Sequence, residues 1–378
     1  MIQRSCYRKG LSAISATTSD KIKSIETSRV PPRWLFVKVE TETGIVGWGE
    51  ATLEGHTEAV EGAFEDFKER FIGWEAANIE DIYQSVYQVL MSALAGLDIA
   101  LVVWQLLGGK VRDRVAVYGW IGGDRPKDVL RQAQDRKDQG FTAVKMNAVQ
   151  CLGWLASPDD LKATVERIKD VRSISIDVGI DFHGRLQTAM AKQLVRMLEP
   201  YHPLLPGHIN ELSKLYQQTT IPIALGERLY TRQMVRPYLE AGCIDIIQPD
   251  ISHSGGISET KRIATLAETY DVGVAAHLVL SAISFAASLP IAISSPNFLI
   301  CEMSWKMHYN LGSDYDLFSY VKDKDVFKAT NGFVEALSGP GLGIEIDEDL
   351  VRKAAAETKD FAWRNPVWRG PDGGIREW

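Results

Sequence analysis

Six short apolar runs between residues 141 and 303 each end in a side chain that can ionise or form directed hydrogen bonds. Any one of these residues could be a helix cap or a loop charge, but six in succession favour a functional site. If the runs are parallel strands of a barrel, their carboxyl ends meet at one face. The polar residues at these ends are Lys145 with Asn147, Asp181 with His183, Glu227, Asp250, His277 and Glu302.

Two of these residues have the chemistry of ligands for a hard cation. Asp181 and Glu227 offer carboxylate oxygens from non-adjacent strands. Mg²⁺ prefers octahedral oxygen coordination and keeps water or substrate oxygens in its remaining positions. We therefore expect Mg²⁺ as the cofactor, with Asp181 and Glu227 among its ligands.

The two histidines have the chemistry of a base and an acid. An aspartate that accepts one imidazole proton fixes the tautomer, so Asp250 on the strand next to His277 would make His277 a general base. His183 lies two residues beyond Asp181 and points to the same side of its strand. It could protonate a leaving group on the opposite face of a substrate. Glu302 could hydrogen-bond a developing enolate or orient the substrate.

These residue types together suit one class of reaction, the removal of a proton next to a carboxylate. An anionic α-carbon is very costly in water, and a divalent ion on the carboxylate oxygens makes it accessible. The predicted activity is that of an enzyme acting on a small carboxylic acid.

The elements that position these residues read as repeated βα units from Arg114 onward. Apolar strands that alternate with amphipathic helices indicate a parallel sheet covered by helices. No glycine-rich dinucleotide fingerprint follows the first strand, so a (β/α) barrel is favoured over an open sheet. The predicted strands are 115–120, 141–147, 175–183, 221–227, 243–250, 272–277 and 298–303, and predicted helices include 128–138, 187–198, 231–241 and 257–269.

The preceding part of the chain has a different pattern. Apolar and polar residues alternate on both sides of Glu42-Thr43-Gly44, which predicts a β-hairpin. Helices are predicted at 56–71, 78–90 and 91–107, and a hairpin followed by helices is typical of an α+β unit. The predicted organisation is an extra tail (1–20), an α+β capping domain (21–113), the barrel (114–331) and a C-terminal segment that returns to the cap (332–378).

Composition limits the partners. The net charge of −7 offers no basic stripe for phosphates, so nucleic acid is not expected. No apolar run approaches the roughly 20 residues needed to span a bilayer, so we expect no membrane association. Four cysteines without paired spacing are typical of a reduced, cytoplasmic protein. Residues 1–20 carry a faint likeness to a mitochondrial presequence, although a simple tail is the favoured interpretation.

Several motifs in combination resemble one family. They are GWGEA (47–51), Lys145-Met146-Asn147, DFHGR (181–185), GER (226–228), QPD (248–250) and the strand-seven His277. The set is similar to the mandelate racemase and muconate lactonizing subgroup of the enolase superfamily. With RVPPRW (29–34) and WRNPVWR (363–369), it looks specifically like the galactonate dehydratases. The resemblance extends from about residue 21 to 378.

The resemblance implies a modified (β/α)7β barrel of the TIM type and a Mg²⁺-dependent sugar-acid dehydratase. His277 with Asp250 would remove the C2 proton, and His183 would expel the C3 hydroxyl to give a 2-keto-3-deoxy acid. Lys145, Asn147 and Arg185 would contact the substrate. Asn147 stands where the racemases of the subgroup carry a lysine base, which favours dehydration. Relatives commonly form symmetric multimers, so a homo-oligomer is expected.

The chain also departs from the family pattern. The fourth barrel strand of the family ends in a Glu-Glu-Pro string that binds the metal, whereas residues 200–212 here read PYHPLLPGHINEL. The cap near 86–92, the chain after Leu101 and the loop after His277 are also shortened. Two hypotheses remain: an active dehydratase whose missing ligand is supplied by Glu211, His208 or water, and a catalytically silent barrel that has lost the strand-four ligand.

Overall fold

The computed structural model describes residues 19–87, 90–101, 107, 109–122, 128–147, 157–182, 186, 188–198, 209–305, 315–358, 364 and 369. Within these residues the chain forms two sheets. A three-stranded antiparallel sheet belongs to the first part of the chain, and a larger, mainly parallel sheet belongs to the rest. Each sheet has its own buried apolar core.

The first sheet contains β1 (Ile22–Val30), β2 (Trp34–Thr41) and β3 (Val46–Glu50) in that order. The predicted hairpin is β2–β3, and Gly44 adopts the left-handed conformation (φ +87°) that its turn requires. β1 pairs antiparallel with β2 and was not predicted. Its sequence, IKSIETSRV, is too polar to show a clear alternation, and pairing with β2 supplies the stability that its own pattern lacks.

Three helices cover this sheet: α1 (Thr57–Phe71), α2 (Ile79–Val86) and α3 (Met91–Leu101). The α3 backbone lies directly on β3. A Cβ atom added to Gly49 would come within 1.8 Å of the Gly96 carbonyl oxygen, and one added to Gly47 within 1.9 Å of the Ala100 oxygen. Both glycines of the GWGE segment are therefore needed for this contact, which fixes the position of the end of β3.

The second sheet has the strand order β6-β5-β4-β10-β9-β8-β7, with all of these neighbours parallel. Its strands are β4 (Arg114–Ile121), β5 (Ala143–Asn147), β6 (Asp177–Asp181), β7 (Ala224–Leu225), β8 (Ile246–Ile247), β9 (Gly273–Ala276) and β10 (Phe298–Met303). Right-handed βα repeats and a sheet in which the first strand pairs with the last are the hallmarks of a TIM-type barrel. The predicted fold class, a barrel with an α+β cap, is confirmed.

Helices join these strands and pack on the outside of the sheet. They are α4 (Val129–Asp138), α5 (Pro158–Ser173), α6 (Thr188–Leu198), α7 (Ile209–Tyr216), α8 (Arg232–Glu240), α9 (Gly256–Glu268) and α10 (Ala282–Ser294). The four predicted helices agree with α4, α6, α8 and α9 to within one or two residues. The predicted strands at 221–227 and 243–250 are shorter in the structure, because only their central residues form ladder pairs.

The strand-four position is where the sequence was least regular. Among the described residues, nothing pairs with the outer edge of β6 or of β7, the two strands that a fourth strand would join. Residues 200–208 of the stretch 200–212, which departs from the family pattern, lie outside the described residues. The described part of this stretch begins at Ile209, the first residue of α7.

The end of the chain contacts both parts of the molecule. β11 (Phe333–Glu335) pairs antiparallel with β4. α11 (Glu348–Glu357) lies against β1, and Glu348 forms a 2.7 Å ion pair with Lys38 of β2. The domain boundaries given above stay predictions. Across the described part of the chain, no helix has the length and apolar character that crossing a membrane requires.

Candidate active site

The register of the parallel strands brings the polar strand ends together. Asn147 lies beside Asp181 across β5 and β6, and an isolated parallel bridge joins Asp250 to His277. The last strand closes on the first, with Glu302 beside Tyr118. All of these side chains are buried, and Glu302 is completely inaccessible to solvent.

His277 and Asp250 form a direct hydrogen bond. The distance between Nδ1 of His277 and Oδ2 of Asp250 is 2.8 Å. Burial would raise the pKa of Asp250, but the nearby His253 and His277 lower it below its usual value. An ionised carboxylate only accepts hydrogen bonds, so Nδ1 of His277 carries the shared proton. Its other ring nitrogen, Nε2, is left to face the interior of the site.

Nε2 of His277 points toward two carboxylates. Glu227 Oε2 lies 3.3 Å away and Glu302 Oε2 lies 3.8 Å away. Burial alone would lower the pKa of His277, but Glu227, Glu302 and the hydrogen bond to Asp250 raise it to about 9. These neighbours stabilise the protonated ring, so Nε2 has a high affinity for a proton, and His277 acts as a base only in the fraction of molecules where the ring is deprotonated.

Lys145 is the cation at the centre of the site. Its Nζ lies 3.2 Å from both oxygens of Glu302 and 3.5 Å from Oδ2 of Asp181. The ammonium also lies over the rings of Trp120 and Tyr118, at 5.2 and 5.8 Å from their centroids. Burial would lower the pKa of Lys145, but Glu302 and its other anionic neighbours raise it well above the usual value, so the side chain is a fixed positive charge.

The site gathers four carboxylates, those of Asp181, Glu227, Asp250 and Glu302. Lys145 and, when protonated, His277 oppose them, and Arg228 lies 3.8 Å from Glu227. Asp181 and Glu227 are hard oxygen donors of the kind that Mg²⁺ takes as ligands. Within the described ranges, however, no group of three or more histidines, cysteines and acids is arranged to hold a metal.

Not every predicted site residue can be placed. His183 and Arg185 lie outside the described residues, as does His208, and nothing is described of the Glu211 side chain. Their predicted roles as acid, substrate contact and replacement ligands stay predictions. The structure does bring together the other predicted residues, which are Lys145, Asn147, Asp181, Glu227, Asp250, His277 and Glu302.

One further histidine near the site was not identified from the sequence. His253 follows Asp250 by three residues, and its Nε2 lies 3.2 Å from Oε2 of Glu54 in the cap. Its Nδ1 lies 3.5 Å from the Ser92 hydroxyl, also in the cap. Burial would lower the pKa of His253, but Asp250 and Glu54 raise it to about 10. The only signal in the sequence was proximity to the QPD motif, since Glu54 is nearly 200 residues away along the chain.

Two known protein families match this chain. Residues 14–116 match the mandelate racemase / muconate lactonizing enzyme N-terminal domain. Residues 128–350 match the enolase C-terminal domain-like family. The two matches correspond to the cap with its three-stranded sheet and to the part of the chain that carries the strand ends described above.

Curated relatives and solved structures cover nearly the whole chain. It is 42% identical to the D-galactonate dehydratases of Variovorax paradoxus and Cronobacter sakazakii, over 95% of this chain and all of each relative. A crystal structure of an enolase from Agrobacterium radiobacter with sodium and L-malate bound is 28% identical, with a TM-score of 0.83 over 95% of this chain and all of that one. An enolase-superfamily member from Salmonella Typhimurium is 26% identical, with a TM-score of 0.76 over 89% and 98% of the two chains.

Proposed function

The chain belongs to the mandelate racemase / muconate lactonizing enzyme family of the enolase superfamily, and we propose that it is a sugar-acid dehydratase acting on D-galactonate or a closely related aldonic acid. The overall activity, a hydro-lyase reaction, is supported by the two 42% identical D-galactonate dehydratases. Within the structure, the observation that carries the proposal is the buried His277–Asp250 pair with Nε2 turned into the site.

In the proposed reaction, Lys145 binds the anionic end of the substrate, because its ammonium is a fixed positive charge at the centre of the site. His277 Nε2 then removes the proton from C2, and the C2–H electron pair moves toward the carboxylate. Loss of the C3 hydroxyl, protonated by His183, releases water and leaves an enol. Tautomerisation of that enol gives the 2-keto-3-deoxy acid, so atoms and charge balance.

Asp181 and Glu227 are the residues that would hold Mg²⁺ in this proposal. A bound divalent ion would supply Lewis acidity to the substrate carboxylate and so make the C2 proton more acidic. Glu302 would then keep Lys145 in place. Because its carboxylate lies 3.8 Å from His277 Nε2, it would also accept a hydrogen bond from the developing enol. Asn147, beside Asp181, presents an amide where a second base would be needed for racemisation.

A second candidate is a silent member of the family that keeps the fold. Its support is the irregular sequence at 200–212 and the length of the alignment with the relatives, 385 positions, which exceeds the 378 residues of this chain. Some positions of the relatives therefore have no counterpart here. Two carboxylates hold Mg²⁺ more weakly than three, because each lost charge reduces the attraction.

The deciding experiment is calorimetric titration of the purified protein with Mg²⁺, followed by incubation with D-galactonate in deuterated water. An active dehydratase gives a binding isotherm, deuterium at C2 of recovered substrate and a 2-keto-3-deoxy product. A matched panel of D-gluconate, L-rhamnonate and D-arabinonate reports the stereochemical preference. No heat at millimolar Mg²⁺ and no product from any of the four acids would overturn the dehydratase and leave the silent barrel.

Three further expectations accompany this function as proposals. The partner is a small-molecule sugar acid, supported by the names of the relatives. A homo-oligomer and a cytoplasmic location remain predictions, and residues 1–18, which include most of the segment with the faint presequence pattern, lie outside the described residues.

A further inference from the structure

Glu50, the acid of the GWGEA motif, is completely buried where the cap meets the barrel. Its carboxylate accepts hydrogen bonds from the backbone N–H groups of Ser281 and Ser284, at 3.2 and 3.3 Å. The hydroxyls of the same two serines also donate to it, the Ser284 hydroxyl at 2.6 Å. The Thr52 hydroxyl donates to its other oxygen at 2.9 Å. Among the described residues, each hydrogen-bond partner of this carboxylate is therefore a donor.

The two serines begin the helix that follows the proposed base. Only residues 278–281 separate His277 from α10, whose N-cap is Ser281. Within this short connection, the Leu278 N–H donates to Glu302 at 3.1 Å, and the Ser304 hydroxyl donates to the Leu280 carbonyl. Glu302 therefore binds this connection at Leu278, next to His277, and Glu50 binds it at Ser281, where α10 begins.

The same carboxylate reaches the turn that carries Asp250. The Ser284 hydroxyl, which donates to Glu50, is also hydrogen-bonded to the Ser252 hydroxyl. Ser252 in turn donates its backbone N–H to Oδ1 of Asp250 at 2.8 Å. This chain of contacts runs from Glu50 through Ser284 and Ser252 to Asp250, the carboxylate that orients His277. All four residues are buried.

We propose that Glu50 is a positioning residue of the cap that holds the His277 segment and the Asp250 turn in register with each other. The catalytic part of this inference rests on the proposed dehydratase function. Its structural part does not, since the contacts belong to the chain alone. In this proposal, docking of the cap also aligns the base. The Glu50 carboxylate anchors β3 to the start of α10, and it reaches the Asp250 turn through Ser284 and Ser252.

The charge of Glu50 matters as well as its shape. Two of its donors are backbone N–H groups at the start of α10, where the helix dipole favours a negative group. Burial raises the pKa of Glu50, and the hydroxyl donors oppose that rise. Glutamine has the same size but presents an N–H₂ group, which would face donors and leave at least one of them unsatisfied.

The test compares Glu50→Gln, Ser284→Ala and Ser252→Ala with Asp98→Asn as a matched control. Asp98 is also a buried cap carboxylate, and it accepts a 3.0 Å hydrogen bond from the Ser258 N–H of α9. It anchors the cap to the barrel without touching the His277 segment or Ser252. Ser252→Ala is the mildest variant, because it removes only the hydrogen bond between the Ser252 and Ser284 hydroxyls, which joins the Asp250 turn to α10.

Amide hydrogen exchange of the metal-free protein is the first readout. Glu50→Gln is expected to speed exchange in 278–284 and 250–254 by about tenfold, the scale of one lost strong hydrogen bond, with Asp98→Asn leaving both segments unchanged. Equal exchange in Glu50→Gln and wild type would overturn the proposal. Faster exchange of both segments in Asp98→Asn would also overturn it, because general loosening of the cap would then explain the effect.

Turnover of D-galactonate with Mg²⁺ is the second readout. Ser252→Ala, which should fold normally, is expected to lower kcat for C2 exchange by about threefold to tenfold with KM unchanged, since it disturbs the base and not the substrate contacts. An unchanged kcat in Ser252→Ala and Ser284→Ala would overturn the catalytic part. If wild-type protein turns over none of the acids, the proposed function fails, and the exchange data alone decide the positioning role.

Discussion

Nδ1 of His277 donates a hydrogen bond to the carboxylate of Asp250 at 2.8 Å, across the ends of two neighbouring parallel strands. The two residues are 27 positions apart and meet because each follows one of two neighbouring parallel strands, β8 and β9, at the same end. The hydrogen bond fixes one tautomer of the imidazole, and the only ring nitrogen left for chemistry is the one that faces Glu227 and Glu302. This contact orients the base, while Glu227 and Glu302 act together with it to raise the pKa of His277.

The first prediction concerns this pair. Asp250→Asn keeps the shape of the side chain but can offer an N–H to Nδ1, which favours the wrong tautomer, so kcat for D-galactonate should fall by roughly 10²–10⁴. His277→Asn should abolish both dehydration and C2 exchange, measured by proton NMR in deuterated water. Exchange retained in His277→Asn would show that this histidine has only a structural role at the end of β9.

The second prediction separates the acid from the base. If His183 only protonates the departing hydroxyl, His183→Asn should lose dehydration and keep part of the C2 exchange, because proton removal and return need only His277. The two rates are measured on the same sample, exchange from recovered D-galactonate and dehydration from the keto acid. Equal loss of both would assign His183 to structure or to the base.

The third prediction concerns His253 and the pH dependence of stability. Its pKa is raised from 6.5 to about 10 in the folded protein, so its contribution is fully present below pH 6.5 and is lost as pH rises through 10. Each pKa unit corresponds to about 1.4 kcal/mol, which makes several kcal/mol an upper bound. The charged groups that face it are Glu54 and Asp250, with Arg33 close to Glu54.

Urea unfolding of wild type and His253→Gln at pH 6 and pH 9.5 measures this effect. The wild type should lose more stability than the variant between the two pH values, because the variant has no charge to lose at this position. His56→Gln, at an exposed histidine that precedes α1, is the control and should follow the wild type. Parallel losses in wild type and His253→Gln would show that the pair with Glu54 contributes nothing.

The fourth prediction concerns the strand-four position between β6 and β7. Insertion of Phe-Ile-Glu-Glu-Pro after Leu204 should raise the melting temperature and the affinity for Mg²⁺, since a restored strand adds ladder hydrogen bonds at about 1 kcal/mol each. The matched insertion Phe-Ile-Gln-Gln-Pro should raise only the melting temperature. If neither quantity rises with the first insertion, the position is already filled or the chain at 200–212 is aligned wrongly with the family.

The sequence by itself determined the fold class and identified most of the polar residues that the structure gathers at the strand ends. Repeated apolar runs with β-branched residues are local signals, and a polar residue at the end of each run is visible without any knowledge of the fold. Lys145, Asp181, Glu227, Asp250, His277 and Glu302 were identified in this way, and the structure brings them together. The rule that parallel strands share one catalytic face turned six separate observations into one site.

Only the tertiary structure decided which of these groups touch and what else supports them. Strand β1 is too polar to be predicted, and it exists because β2 offers it a partner. Glu50, Glu54 and His253 gave no chemical signal, because their partners lie some 200 or more residues away or belong to the other domain. The role of a buried charged group depends on the hydrogen-bond donors and opposite charges around it. Here those neighbours are set by how the cap packs on the barrel, and no local pattern in the sequence records that contact.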